Sequence, residues 1–149
     1  MRAIVQRVKS SSVSVNDEII SEINYGLNVL VGISVDDNEK DLKYIGDKIM
    51  GLRIFDDKDG VMNLSVKDVK GEILLISQFT LYGDARKGRR PSYINALNPK
   101  EAEEMYNKLV NYIKSKRYSV KTGEFGGDME VKIVNDGPVT ILLDSKKEF

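Results

Sequence analysis

The chain has 149 residues, 41% of them hydrophobic, and its 23 lysines and arginines balance 23 aspartates and glutamates. That length supports one domain, expected over residues 1–149, and zero net charge confines any attraction to nucleic acid to a local patch while leaving pairing with a second copy unopposed. The absence of cysteine removes disulfides and thiolate sites and fits a reducing, cytoplasmic setting; the absence of histidine removes a Ser-His-Asp triad, an imidazole base and the usual zinc ligands.

Arg2 to Val8, Ser12 to Val15 and Glu18 to Ile23 are rich in valine and isoleucine, and Asn16-Asp17 between the last two suggests an early hairpin. Charges interrupt the first apolar run, and no later run approaches the roughly 18 residues of a membrane span, so neither a signal peptide nor a membrane partner is expected. Leu27 to Ser34 reads as a buried strand. Asp36 to Asn38 offers a cap for a helix of about four turns, with Leu42, Ile45, Ile49 and Leu52 at helical spacing, ending before Arg53-Ile54-Phe55. Asp59-Gly60 marks a turn, and Gly71 to Gln78, with Ile73 to Ile76 continuously apolar, suits a strand buried on both faces. A second helix starts at the cap Asn98, with Pro99 first and Glu101 closing a capping box, and carries Ala102, Met105, Tyr106, Leu109, Val110 and Ile113 as one stripe. Strands at Asp128 to Asn135 and Val139 to Asp144 finish an α+β pattern: a curved, partly barrel-like sheet with two main helices.

Four segments invite a chemical reading. Asp56-Asp57-Lys58-Asp59-Gly60 fails the calcium-loop spacing, because Phe55 stands where the first carboxylate belongs and no glutamate closes the loop. Arg86, Lys87, Arg89 and Arg90 put four cations within five positions of a glycine-broken loop, which suits nucleic-acid phosphates and equally a solvated charged loop. Ser77-Gln78-Phe79-Thr80-Leu81 places hydroxyls, an amide and an aromatic at the exit of the most buried strand, as ligand-binding groups or as turn formers. Asn135-Asp136-Gly137-Pro138-Val139-Thr140 sets a Gly-Pro pair between two apolar runs; its types suit a tight hairpin turn, or a rigid backbone aimed at a ligand. No cofactor motif or metal site is present in the pattern, so none is expected.

The last two segments together resemble the paired signature of D-aminoacyl-tRNA deacylases. Val5-Gln6-Arg7-Val8, Leu52-Arg53-Ile54-Phe55, Met62-Asn63, Gly88-Arg89-Arg90-Pro91-Ser92 and Thr122-Gly123 through Phe125 to Met129 follow in the family's order, so the similarity spans nearly the whole chain. Gly127 departs from it, standing where the family pattern has alanine. The resemblance implies a homodimer acting on aminoacyl-tRNA, in which Gly137 and Pro138, joined by a cis peptide, reach from one subunit into the other's site as a chirality filter. It implies that the filter admits D-amino acids and glycine, including glycine mischarged on alanine tRNA, and rejects L-amino acids by collision. By the same resemblance Arg7 braces the filter, Gln78, Phe79 and Thr80 form the catalytic segment, and Phe125 and Met129 enclose the terminal adenosine. Backbone N–H groups of Phe79 and Thr80 would hold the oxyanion while the neighbouring ribose hydroxyl assists attack; Thr80 as a nucleophile ranks lower without a base beside it. Two rivals stand: a relaxed relative that accepts some L-amino acids through a trans Gly-Pro, and an RNA-binding module without catalysis, favoured by the basic loop and weakened by zero net charge and few aromatics.

Overall fold

In the computed structural model, which describes residues 1–149, the chain opens on one uninterrupted strand, β1 (Arg2–Val15). Asn16 and Asp17 both take positive φ, 49° and 63°, which turns β1 back into β2 (Glu18–Ile23). These two residue types tolerate the left-handed backbone such a two-residue turn demands. β3 (Gly26–Gly32) runs antiparallel to the first half of β1, pairing Val8 with Gly26 and Arg2 with Gly32. Helix α1 (Glu39–Gly51) is opened by Asn38, whose side chain accepts from Lys40 N–H while Asp41 accepts the N–H of Asn38. A short ribbon of β4 (Phe55–Asp56) and β5 (Met62–Leu64) follows.

β6 (Glu72–Ser77) lies parallel to β3, and β7 (Val120–Thr122) parallel to β6. Between them stand a single 3₁₀ turn, Phe79–Tyr82, and helix α2 (Pro99–Ser115). Asn98 caps α2 by accepting from Glu101 N–H at 3.1 Å, but the reciprocal half of the expected capping box does not form. The Glu101 carboxylate instead accepts from the side-chain amide of Asn98. No helix is long and apolar enough to cross a membrane.

The last strand, β8 (Glu130–Asp144), pairs with β1 from Arg2–Asp144 to Ser14–Glu130. It is one strand, where the sequence suggests two separated by the Gly-Pro pair, and the tight-hairpin reading fails because the chain does not reverse there. Likewise β1 is one strand rather than two. The strands curl into an incomplete barrel: β2 and β7 come together at Lys121 Nζ, which donates to Glu22 O at 2.8 Å, with no ladder between them.

The curl makes two apolar compartments. On its outer face Ala3, Val5, Leu27, Val29, Ile73 and Leu75 meet Leu42, Ile45 and Ile49 of α1 and Leu109 and Ile113 of α2. Inside it Val8, Val13, Ile23, Leu74 and Ile76 pack together. β6 supplies both, which is why its apolar run has no polar alternation. Each fully buried aliphatic side chain contributes about 1.5–3 kcal/mol. Tyr106 joins α2 to the sheet by donating to Leu75 O at 2.7 Å, and burial pushes its phenol well above its ordinary pKa, so it stays a neutral donor.

Candidate active site

The Ser77–Leu81 segment leaves the carboxyl end of β6, beside the equivalent ends of β3 and β7. Gln78 N–H continues the ladder to Val31 O at 2.7 Å, and the chain then tightens into the 3₁₀ turn. A Cβ on Gly32 would lie 2.9 Å from Gln78 O and 3.0 Å from Leu81 Cβ, so the turn seats directly on β3 only because that residue is glycine. As the first two residues of the turn, Phe79 and Thr80 carry N–H groups for which the turn itself supplies no acceptor. The Phe79 ring is 58% exposed and meets Tyr93 edge-on at 5.2 Å. The Gln78 side-chain amide donates to Thr80 Oγ1, so the only group bonded to that hydroxyl is itself a donor and cannot take its proton.

The Asn135–Thr140 segment is a wide bulge in β8. Gln6 pairs with Thr140 and Val8 with Asn135, so four residues, Asp136 to Val139, face the single residue Arg7. The Gly137–Pro138 peptide is cis, and both residues are exposed. Asn135 repairs the ladder that the bulge interrupts: its Nδ2 donates to Arg7 O at 2.8 Å and Val139 O at 3.0 Å, and its Oδ1 accepts from Thr140 Oγ1 at 3.1 Å. Arg7, only 6% exposed, lies beneath. Its Nη1 donates to Ile54 O at 2.8 Å and reaches Asp56 at 3.4 Å, while Nε sits 3.1 Å from Asp136 Oδ2 as an ion pair, its N–H not directed at the oxygen. Burial raises the Tyr25 phenol above its ordinary pKa; Arg7 opposes this, and the carboxylates of Asp136 and Asp56 reinforce it.

Within one chain these segments lie apart. Ser77, Val31, Ala3 and Leu143 stand in one row across the sheet, whereas Gly137 lies at the level of Arg7, four residues further along β1 and three strands away from β6. Along the sheet that is about 20 Å. Phe125 and Met129, by contrast, belong to the loop after β7, at the same sheet end as Gln78–Thr80. Phe125 packs on Tyr106 at 5.7 Å, and Met129 covers the inner compartment beside Gly123 and Ile76. The basic loop is closed by reciprocal backbone bonds between Asp84 and Ser92 at 2.8 and 2.9 Å. Arg86 is spent within it: its guanidinium forks onto Asp84, whose carboxyl is held far below the usual range by those bonds. Lys87, Arg89 and Arg90 are exposed and take no part in the ion pairs of the fold.

Sequence reasoning gives no individual role to Asn135 and Asp136, although both lie in the Gly-Pro segment, nor to Asp84 and Tyr93. Asn135 and Asp136 read as turn residues, and only the strand register shows Asn135 to be a bridge. Tyr93 carried no signal of its own.

The family model for D-Tyr-tRNA(Tyr) deacylase matches residues 4–144. The chain is 60% identical over 149 residues to a D-aminoacyl-tRNA deacylase of Clostridium beijerinckii and 55% identical to one of Thermosipho africanus, covering all of each. Among solved structures it resembles the c-Myc DNA Unwinding Element Binding Protein, at 44% identity and TM-score 0.92, over 97% of this chain and 98% of that one. A probable eukaryotic D-amino acid tRNA deacylase, at 17% identity and TM-score 0.81, over 95% of this chain and 97% of that one, shares the fold.

Proposed function

Because the chain belongs to the D-Tyr-tRNA(Tyr) deacylase family, we propose that it hydrolyses the ester joining a D-amino acid, or glycine mischarged on alanine tRNA, to the tRNA ribose. The observation that carries this reading is the match to D-aminoacyl-tRNA deacylases across the full length of both chains. Water adds to the ester carbonyl carbon, the C–O bond to the ribose breaks, and the ribose oxygen takes up a proton. The neighbouring ribose hydroxyl relays the proton, so no imidazole is required. Phe79 and Thr80 N–H groups bind the oxyanion, and one such donor is worth about 10²–10³ in rate. Gln78 orients Thr80, and Phe125 and Met129 enclose the terminal adenosine. Lys87, Arg89 and Arg90, with Arg86 held on Asp84, follow the tRNA phosphates.

The site is completed by a second copy in a cytoplasmic homodimer. Gly137 and Pro138, exposed and about 20 Å along the sheet from Thr80 in their own chain, suit a partner's site rather than their own. Their carbonyls leave space for the α-hydrogen side of a D-amino acid and collide with an L side chain. Arg7 fixes the bulge from behind.

Thr80→Ala separates the two chemistries. RNA-assisted attack predicts turnover of D-tyrosyl-tRNA within about fivefold of the parent, because the backbone N–H survives the substitution. A loss of about 10³ or more would make the hydroxyl the nucleophile and overturn the mechanism.

A further inference from the structure

We propose that Arg2 is a positioning residue for the Phe79–Tyr82 turn, setting the two N–H groups that face the scissile ester; this rests on the function proposed above. The guanidinium lies against the second half of the turn, at Leu81 and Tyr82. Its Nη1 donates to Leu81 O at 3.2 Å, and its Cζ stands 4.7 Å from the centre of the Tyr82 ring. The other contacts anchor it: Nη2 donates to Glu148 at 2.7 Å, Nε lies 3.5 Å from Asp144 Oδ2, and the Phe149 ring covers it at 5.5 Å. Asp144 is itself 5% exposed and belongs to the β8 end that pairs with Arg2. The turn therefore rests on two positions paired across β1 and β3, the bare backbone of Gly32 and this guanidinium beside it.

That placement matters because the bonds at the ends of the turn are local: Leu81 N–H to Gln78 O, long at 3.3 Å, and Gly83 N–H to Thr80 O at 2.9 Å. Oxyanion donors act only when preorganised, and a displacement near 1 Å can cost about a hundredfold in rate. A planar fork donates to Leu81 O and Glu148 and pairs with Asp144 while standing over the Tyr82 ring; an ammonium cannot do all of these together. Glu148 is largely exposed, so its solvent-screened pair holds Arg2 far less firmly than buried Asp144 does, and it has no bond to the turn, which makes it the control.

The test compares the parent with Arg2→Ala, Arg2→Lys and Glu148→Gln by steady-state hydrolysis of D-tyrosyl-tRNA and by amide hydrogen exchange at Leu81 and Gly83. The proposal expects Arg2→Ala to lower kcat about tenfold or more with KM within twofold, Arg2→Lys to fall between, and Glu148→Gln to stay near the parent. It expects exchange at both amides to quicken about tenfold in Arg2→Ala while amides of α2 keep their parent rates. Parental kcat, or a raised KM with kcat unchanged, would overturn it and make Arg2 a mere tRNA contact. If Arg2→Ala does not fold, Arg2→Lys decides: kcat lowered about threefold or more with KM within twofold supports the proposal, and parental kcat or a raised KM alone overturns it. Exchange is read without substrate: unaltered rates at Leu81 and Gly83 overturn the positioning role even if the parent hydrolyses no ester, an outcome that would separately defeat the proposed function.

Discussion

Replacing Gly137 by alanine is expected to lower hydrolysis of D-tyrosyl-tRNA by about tenfold or more and to shift the ratio of D to L hydrolysis by a similar factor. Gly137 has φ 119°, a region that L-residues rarely enter, and a Cβ there would lie 2.9 Å from Val139 N and 2.8 Å from Val139 Cγ2. Neither neighbour can yield freely, because Val139 O is bonded to Asn135 and Thr140 pairs with Gln6. The added methyl therefore moves the bulge, at a cost of about 1–3 kcal/mol in backbone strain. Carbonyls that discriminate by collision lose discrimination when displaced. Side-by-side rates on the two enantiomeric substrates measure the effect, and an unchanged rate with an unchanged ratio would remove the Gly-Pro segment from the mechanism.

Arg7→Ala should be the more damaging substitution for the fold. The guanidinium is 6% exposed, and its loss leaves Ile54 O without its donor and the Asp136 carboxylate without its cation. Removing one partner of a largely buried pair costs about 3–5 kcal/mol; the exposure of Asp56 and the partial exposure of Asp136 place this case at the lower end. Arg7→Lys should recover only part, since one ammonium cannot span Ile54 O and Asp136 as the fork does. Urea denaturation reads the stability, and the D to L ratio of the surviving enzyme reads the bulge. Stability within about 1 kcal/mol of the parent and an unaltered ratio would mean that the bulge holds its shape without Arg7.

The elements that sequence reasoning found were those with local causes. Asn16-Asp17 announced a turn because few residues take left-handed backbone; Asn38 and Asn98 announced helix starts because a side-chain acceptor must meet the first free N–H groups. The apolar run Ile73 to Ile76 announced a strand covered on both faces. What escaped depended on partners distant in sequence. That β8 runs straight through Gly137-Pro138 follows from its ladder with β1, which tolerates four residues opposite Arg7 because Asn135 supplies the missing bonds. Asn98 donating its own amide to Glu101 is likewise invisible in a motif that only counts spacing. The candidate site was legible as two segments, through their resemblance to a family. Their separation by about 20 Å along the sheet, and the role of Asn135, needed the register.

The most direct measurement is release of amino acid from D-tyrosyl-tRNA and L-tyrosyl-tRNA by the purified protein, side by side in the presence of a chelator. The account predicts rapid release from the D substrate, negligible release from the L substrate, and no dependence on the chelator. Comparable release from both would contradict the chirality filter, and release from neither would contradict the deacylase itself.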